Sequence, residues 1–188
     1  FVMCSSKFRA TTVLGDADFP AAWGDTVPVK AFENRLDVCK VNLPSRIKII
    51  GEEAFRYCMN LKEFNIKPGF KKFSENVFSY CCNLEECVVP PGVEVGRGTF
   101  KDCRDLRGTT VLGEADFPAE WGDTVPDEAF WERLDLLKVV LPVRIKKLGK
   151  EAFGGCWNLE ECVVPPFVEV GRDAFDYCEE LKPTTVLD

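Results

Sequence analysis

The side chains with the greatest chemical potential in this sequence are ten cysteines, adjacent pairs of glutamates and a small aspartate cluster. Thiolates gathered from neighbouring segments could hold zinc or an iron–sulfur cluster, or could oxidise to disulfides. Glu85-Glu86, Glu160-Glu161 and Glu179-Glu180 could act as general acid and base if two carboxyls faced one cleft about 5 to 10 Å apart, with one of them desolvated. Asp16, Asp18 and Asp25 could ligate calcium, but their run lacks an EF-hand loop pattern and its second copy begins with Glu114. Gly96-Arg97-Gly98-Thr99 has no following Lys-Ser/Thr and reads as a turn rather than a phosphate loop. Histidine is absent from all 188 residues, which removes Ser-His-Asp and Cys-His catalysis and imidazole ligation.

The elements that must position these groups appear once the cysteines are placed. Cys4, Cys58, Cys81, Cys103, Cys156 and Cys178 each follow a phenylalanine by three residues: Phe1, Phe55, Phe78, Phe100, Phe153 and Phe175. With Phe32 and Phe130 these give anchors spaced 31, 23, 23, 22, 30, 23 and 22 residues apart. A period near 23 is the mark of a solenoid, whose coils must stack to bury their apolar sides. Six residues after the anchors stand Val38, Leu61, Leu84, Leu106, Leu136, Leu159 and Leu181. Pairs nine and eleven residues on, such as Val41 and Leu43 or Phe64 and Ile66, alternate as a short strand does. Prolines at Pro44, Pro68, Pro90, Pro142 and Pro165 end each strand. The chain returns through a second apolar pair before Gly51, Gly96, Gly149 and Gly171, then through a stretch such as 52–58 that is expected to form a single helical or 3-10 turn.

Stacking places like residues over like, so phenylalanine and cysteine columns follow from packing alone. The thiols are expected to be buried and unligated. No Cys-x-x-Cys pair exists, and stacked parallel residues point their Cβ atoms the same way, which suits a disulfide badly. The adjacent glutamates would face opposite sides of a strand, as solvated surface. No catalytic residue, metal or cofactor is implied.

The run Ile-x-x-Ile-Gly-Glu-Glu-Ala-Phe-Arg-Tyr-Cys-x-x-Leu-x-x-Phe-x-Ile at 47–66 resembles the BspA-type leucine-rich repeat, as does Val-Glu-Val-Gly-Arg-Asp-Ala-Phe-Asp-Tyr-Cys-Glu-Glu-Leu at 168–181. The resemblance covers most of the chain. It implies a right-handed solenoid used in adhesion or protein interaction, here of about eight coils with two lengthened by insertions, and it carries no catalytic motif.

A longer repeat lies above the short one. Residues 11–61 match 109–159 at 35 of 51 positions, and 83–97 match 158–172 at 14 of 15. The offset falls from 98 to 75, so one 23-residue coil is missing from the second block. The long-period copies span 11–108 and 109–183, and Thr184-Thr185-Val186-Leu187-Asp188 restarts the pattern, so 1–188 is expected to be one section of a longer array. Neither end shows a polar cap, and further repeats or a partner are expected to cover the end coils.

The wide spacings come from Phe19-Pro20-Ala21-Ala22-Trp23 and Phe117-Pro118-Ala119-Glu120-Trp121. These apolar patches either fold back over the coil or offer Phe19, Trp23, Phe117 and Trp121 to a partner. If residues nine and eleven after each anchor point inward, those at eight and ten form the outer face. That column comprises Lys40, Asn42, Glu63, Asn65, Glu86, Val88, Gly108, Thr110, Lys138, Val140, Glu161 and Val163, with Pro183 and Thr185. It mixes charge signs and holds no aromatic ring, which favours a protein partner over a glycan.

With 24 Lys+Arg against 31 Asp+Glu, the formal charge is −7, and nucleic acid is not an expected partner. No apolar run approaches the roughly 20 residues of a membrane span. No signal peptide or Asn-x-Ser/Thr acceptor is visible, and buried thiols lean toward an intracellular setting while leaving the compartment open. The expected function is a non-enzymatic interaction scaffold or a subunit of a larger assembly, with a cell-surface adhesin for host or matrix proteins as the alternative.

Overall fold

The computed structural model describes residues 10–183 and 185–186. They fall into two compact units, one from residues 10–89 and 93–107, the other from 90–92 and the described residues from 108 on. Phe1 and Cys4, expected to begin the columns, lie outside the described residues.

Each unit is built from coils carrying two short parallel strands. In the first, Thr12–Leu14, Val38–Asn42 and Glu63–Asn65 form one sheet, extended by a single bridge from Glu63 to Glu86. Thr26–Val27, Ile49–Ile50, Lys72–Phe73 and Glu94–Val95 form a second. In the other unit Thr110–Leu112, Leu136–Val140, Glu161–Val164 and Thr185–Val186 make the longer sheet, and Thr124–Val125, Lys147–Leu148 and Glu169–Val170 the shorter. The two residues before Gly51, Gly96, Gly149 and Gly171 are therefore strands in their own right, each ending on the second member of an expected apolar pair. A Cβ at Gly51 would meet the Val27 carbonyl oxygen at 2.6 Å, and one at Gly171 the Leu148 oxygen at 2.5 Å, so the short strands lie close only because those positions carry none.

The third side of each coil differs from the helical turn expected. Residues two before and two after each anchor take positive φ: Glu53 and Tyr57 around Phe55, Asn76 and Tyr80 around Phe78, Glu128 and Glu132 around Phe130, Asp173 and Tyr177 around Phe175. Such residues cannot continue a helix. Instead their amides leave the coil. Glu53, Phe55 and Tyr57 donate to the carbonyls of Glu75, Val77 and Ser79 one coil on, while Ala54, Arg56 and Cys58 close local turns. The turns thus form a third hydrogen-bonded ladder. The 3-10 helices that do occur lie in the insertions, at Asp16–Asp18, Ala21–Trp23, Glu114–Asp116 and Ala119–Trp121.

The interior is the expected phenylalanine column. Phe32, Phe55, Phe78 and Phe100 stack at centroid spacings of 4.9, 5.9 and 5.7 Å. Phe130, Phe153 and Phe175 stack at 5.0 and 5.4 Å. Full burial of each ring contributes about 1.5–3 kcal/mol, with a further increment for ring–ring geometry. The thiols lie beside the rings: Cys58, Cys81, Cys103 and Cys156 donate to the Phe32, Phe55, Phe78 and Phe130 carbonyls, each at 3.1 Å. The column fixes the cysteine type, since a short polarisable donor fits between ring and backbone. Burial pushes the Cys58 and Cys162 thiols up to about 12, and Cys81 well above its ordinary value. Cys82, outside the column, departs from the expectation of thiols throughout: it is disulfide-bonded.

Candidate functional site

The outer face of the longer sheets is where a register-locked surface forms. Lys40 pairs across the ladder with Glu63, and Asn42 with Asn65; Lys138 stands opposite Glu161 and Val140 opposite Val163. The side chains use that register. Lys40 bridges to Glu63, Lys138 to Glu161 at 2.9 Å, and Asn65 Nδ2 donates to Asn42 Oδ1 at 3.0 Å. Neighbouring rungs repeat the device, with Lys62–Glu85 at 2.9 Å and Lys182–Glu160 at 2.6 Å. The carboxylates hold the Lys40, Lys62 and Lys182 ammonium groups above their usual range. Exposed pairs of this kind contribute little stability each. A concavity of about 380 Å³ opens on this face in the second unit, among Lys138, Glu161, Glu160, Lys182 and Val111.

Not every residue of the expected column reaches that surface. Lys40, Asn42, Glu63, Asn65, Lys138, Val140 and Glu161 are half-buried, while Glu86 and Val88 are exposed. Thr110 is buried, because Leu137 bulges from its strand: Leu136 pairs with Thr110 but Lys138 with Val111. The one-residue shift turns Thr110 inward and leaves Val111 in the outer column. Val163 is also buried.

The insertions fold back. Phe19 packs on Phe32 with ring centroids 5.3 Å apart, Trp23 closes edge-on at 5.7 Å, and Phe19 is 2% exposed. Phe117, Trp121 and Phe130 repeat the triangle at 5.4 and 5.7 Å, with Phe117 3% exposed and the tryptophans half-buried. An arginine clasps each loop: Arg46 donates to the Phe19 carbonyl, and Arg144 to those of Phe117 and Gly122. Asp18 and Asp116 cap the loops, each accepting at 2.9 Å the amide of the residue three before it, Gly15 and Gly113.

Sequence reasoning missed a second feature, on the turn side. Tyr57 and Tyr80 stack at 4.8 Å with the Arg56 guanidinium over Tyr57, also 4.8 Å from the ring centre. The signal was the shared Tyr two residues after successive anchors. It also missed the Arg133–Asp135 pair, bidentate at 2.7 and 2.8 Å and buried, although Arg35-x-Asp37 repeats it in sequence.

Stacked coils of about 23 residues, paired through short parallel strands around an apolar column, define a leucine-rich-repeat solenoid of about seven turns among the described residues, the first of the eight anchors lying outside them. A family described as a BspA type leucine rich repeat region matches residues 25–116 and 123–186 in six copies, and the chain belongs to that family. Among solved structures it is similar to a leucine rich repeat protein of T. pallidum, at 28% identity and a TM-score of 0.62, covering 84% of this chain and 71% of that one. It is also similar to a leucine rich cell surface protein of Faecalibacterium prausnitzii, at 25% identity and a TM-score of 0.59, covering 86% of this chain and 42% of that one. A Bacteroides ovatus leucine-rich repeat protein shares the fold at 19% identity and a TM-score of 0.59, covering 85% and 46%. No curated protein matches the sequence.

Proposed function

We propose that the chain is a non-enzymatic scaffold that binds protein through the outer face of its longer sheets, as a free interaction module or as a subunit of a larger assembly. The observation that carries this is the recurrence of one charged pair, Lys40–Glu63 and Lys138–Glu161, at the same strand position in both units. A rigid sheet holding alternating charges and short amides at fixed spacing suits complementary charged and hydrogen-bonding groups of another polypeptide. The fold-back of Phe19 and Phe117 directs recognition away from the insertions and toward this face. Attachment to host or matrix proteins at a cell surface is the second reading, and the similarity to a cell surface protein of F. prausnitzii favours it.

Cross-linking of the chain in its native source, with mass spectrometry, would identify the partner and the lysines it touches. A combined Lys40→Glu, Lys138→Glu variant is expected to lose that partner by about tenfold or more, with Lys67→Glu, exposed beyond the strand, as the control. Equal retention by both variants would remove the sheet face from the reading.

A further inference from the structure

The two long-period copies differ on their turn side in a way that marks a binding site. In the first, Glu53 holds two cations, Lys30 on Oε2 at 3.0 Å and Arg56 on Oε1 at 2.5 Å. The Arg56 guanidinium lies between that carboxylate and the stacked Tyr57 and Tyr80 rings, 4.8 and 5.9 Å from their centres. Aligned 98 residues on, Glu53 becomes Glu151, but Arg56 and Tyr57 become Gly154 and Gly155. The carboxylate persists, while the guanidinium and the ring beneath it are both gone.

What remains is a cavity of about 370 Å³ whose walls are Trp131, Trp157, Tyr177, Glu132, Glu151 and Asp176, floored by the two glycines. Two of those rings replace non-aromatic residues of the first copy: Trp131 stands where it has Glu33, and Trp157 where it has Met59. Trp157 is 42% and Tyr177 68% exposed, so the rings are accessible. The Trp131 indole comes within 3.3 Å of where a Cβ at 154 would sit, so the cavity is held open by the absence of a side chain there. Glu151 carries Lys150 on Oε1 at 2.8 Å, where Glu53 carries a cation on each oxygen. Glu151, which carries one cation where Glu53 carries two, lies among three aromatic rings and favours a further cation, and a planar guanidinium both stacks on aromatic faces and pairs with a carboxylate.

We infer that this cavity receives an arginine side chain of a partner polypeptide, taking the place that Arg56 fills from within the chain in the first copy. The inference rests on the scaffold reading and gives it a specific anchor. A peptide-borne arginine is favoured over the free amino acid, whose α-carboxylate the acidic wall would repel.

The test is titration of the full chain with acetyl-Gly-Arg-Gly-amide, followed by tryptophan fluorescence and calorimetry. Its citrulline counterpart, isosteric and uncharged, and free L-arginine serve as the comparison arms. Saturable binding is expected, at least about tenfold tighter for the arginine peptide than for either comparison, and about tenfold weaker in Trp157→Ala or Glu151→Gln. Equal affinity for citrulline, equal or tighter affinity for free arginine, no saturation, or an unchanged Trp157→Ala variant would overturn the assignment. Peptide binding by a chain whose sheet face captures no partner supports the pocket and sinks the sheet-face reading. Capture through the sheet face without peptide binding does the reverse.

Discussion

The Sγ of Cys81 donates to the backbone carbonyl of Phe55, one coil earlier in the chain, across 3.1 Å. That carbonyl already accepts the amide of Cys58 from its own coil, so a single oxygen joins a local turn to the next layer. The same bond recurs from Cys58 to Phe32 and from Cys156 to Phe130. Cysteine at this position is thus a structural donor, and its chemistry is spent on the backbone.

Replacing Cys81 tests the bond. Cys81→Ala, which loses both contact and donor, is expected to cost about 2 kcal/mol, and Cys81→Ser, which keeps a donor, about half that. Urea midpoints would check the order; a purely apolar slot gives the reverse, with serine worse than alanine.

The raised thiols predict alkaline unfolding. With Cys58 and Cys162 moved from 9.0 to about 12 in the folded chain, the native state retains protons that the unfolded chain releases. Their contribution is complete below about pH 9 and is lost progressively as pH rises from 9 toward 12. Denaturation midpoints across that window should fall less steeply for a Cys58→Ala, Cys162→Ala variant than for the parent. An identical slope would assign the alkaline loss to other groups.

Phe167 has φ of +65° and is fully exposed, and the corresponding residue of the first copy is Gly92 at +75°. Phe167→Gly removes left-handed strain and no packing, against the greater freedom glycine gives the unfolded chain. A net gain of about 0.5–1 kcal/mol is expected, read as a higher melting temperature. A loss would mean that the ring supports something outside the chain.

Arg144 ties the second insertion by donating at 2.5 and 2.6 Å to the carbonyls of Phe117 and Gly122. Arg144→Ala should free that loop, with a loss of about 1–2 kcal/mol. The emission of Trp121 should shift to longer wavelength as its contact with Phe130 loosens. An unshifted spectrum would show that the aromatic triangle holds by itself.

The coil period, the phenylalanine column and the inward strand residues were legible because each follows from repeated spacing in one dimension. Thr110 was misplaced because a bulge at Leu137 shifts register by one, and nothing in Thr109-Thr110-Val111 announces a bulge in the strand beside it. The turn ladder was hidden by its residue types. Glu53, Tyr57 and Asn76 hold conformations that glycine adopts more easily, sustained by hydrogen bonds to the following coil that no local pattern reveals. The turn-side cavity was legible only in comparison, as Gly154-Gly155 against Arg56-Tyr57.

The turn ladder also accommodates the difference in length between the blocks. Each layer offers its successor the same set of donors and meets its predecessor with the same acceptors, so one whole layer can be excised and the cut faces rejoin without loss of pairing. The change in offset from 98 to 75 corresponds to one such layer. Indels of a full period are therefore conservative in this architecture, whereas a shift of a few residues would break three ladders at once.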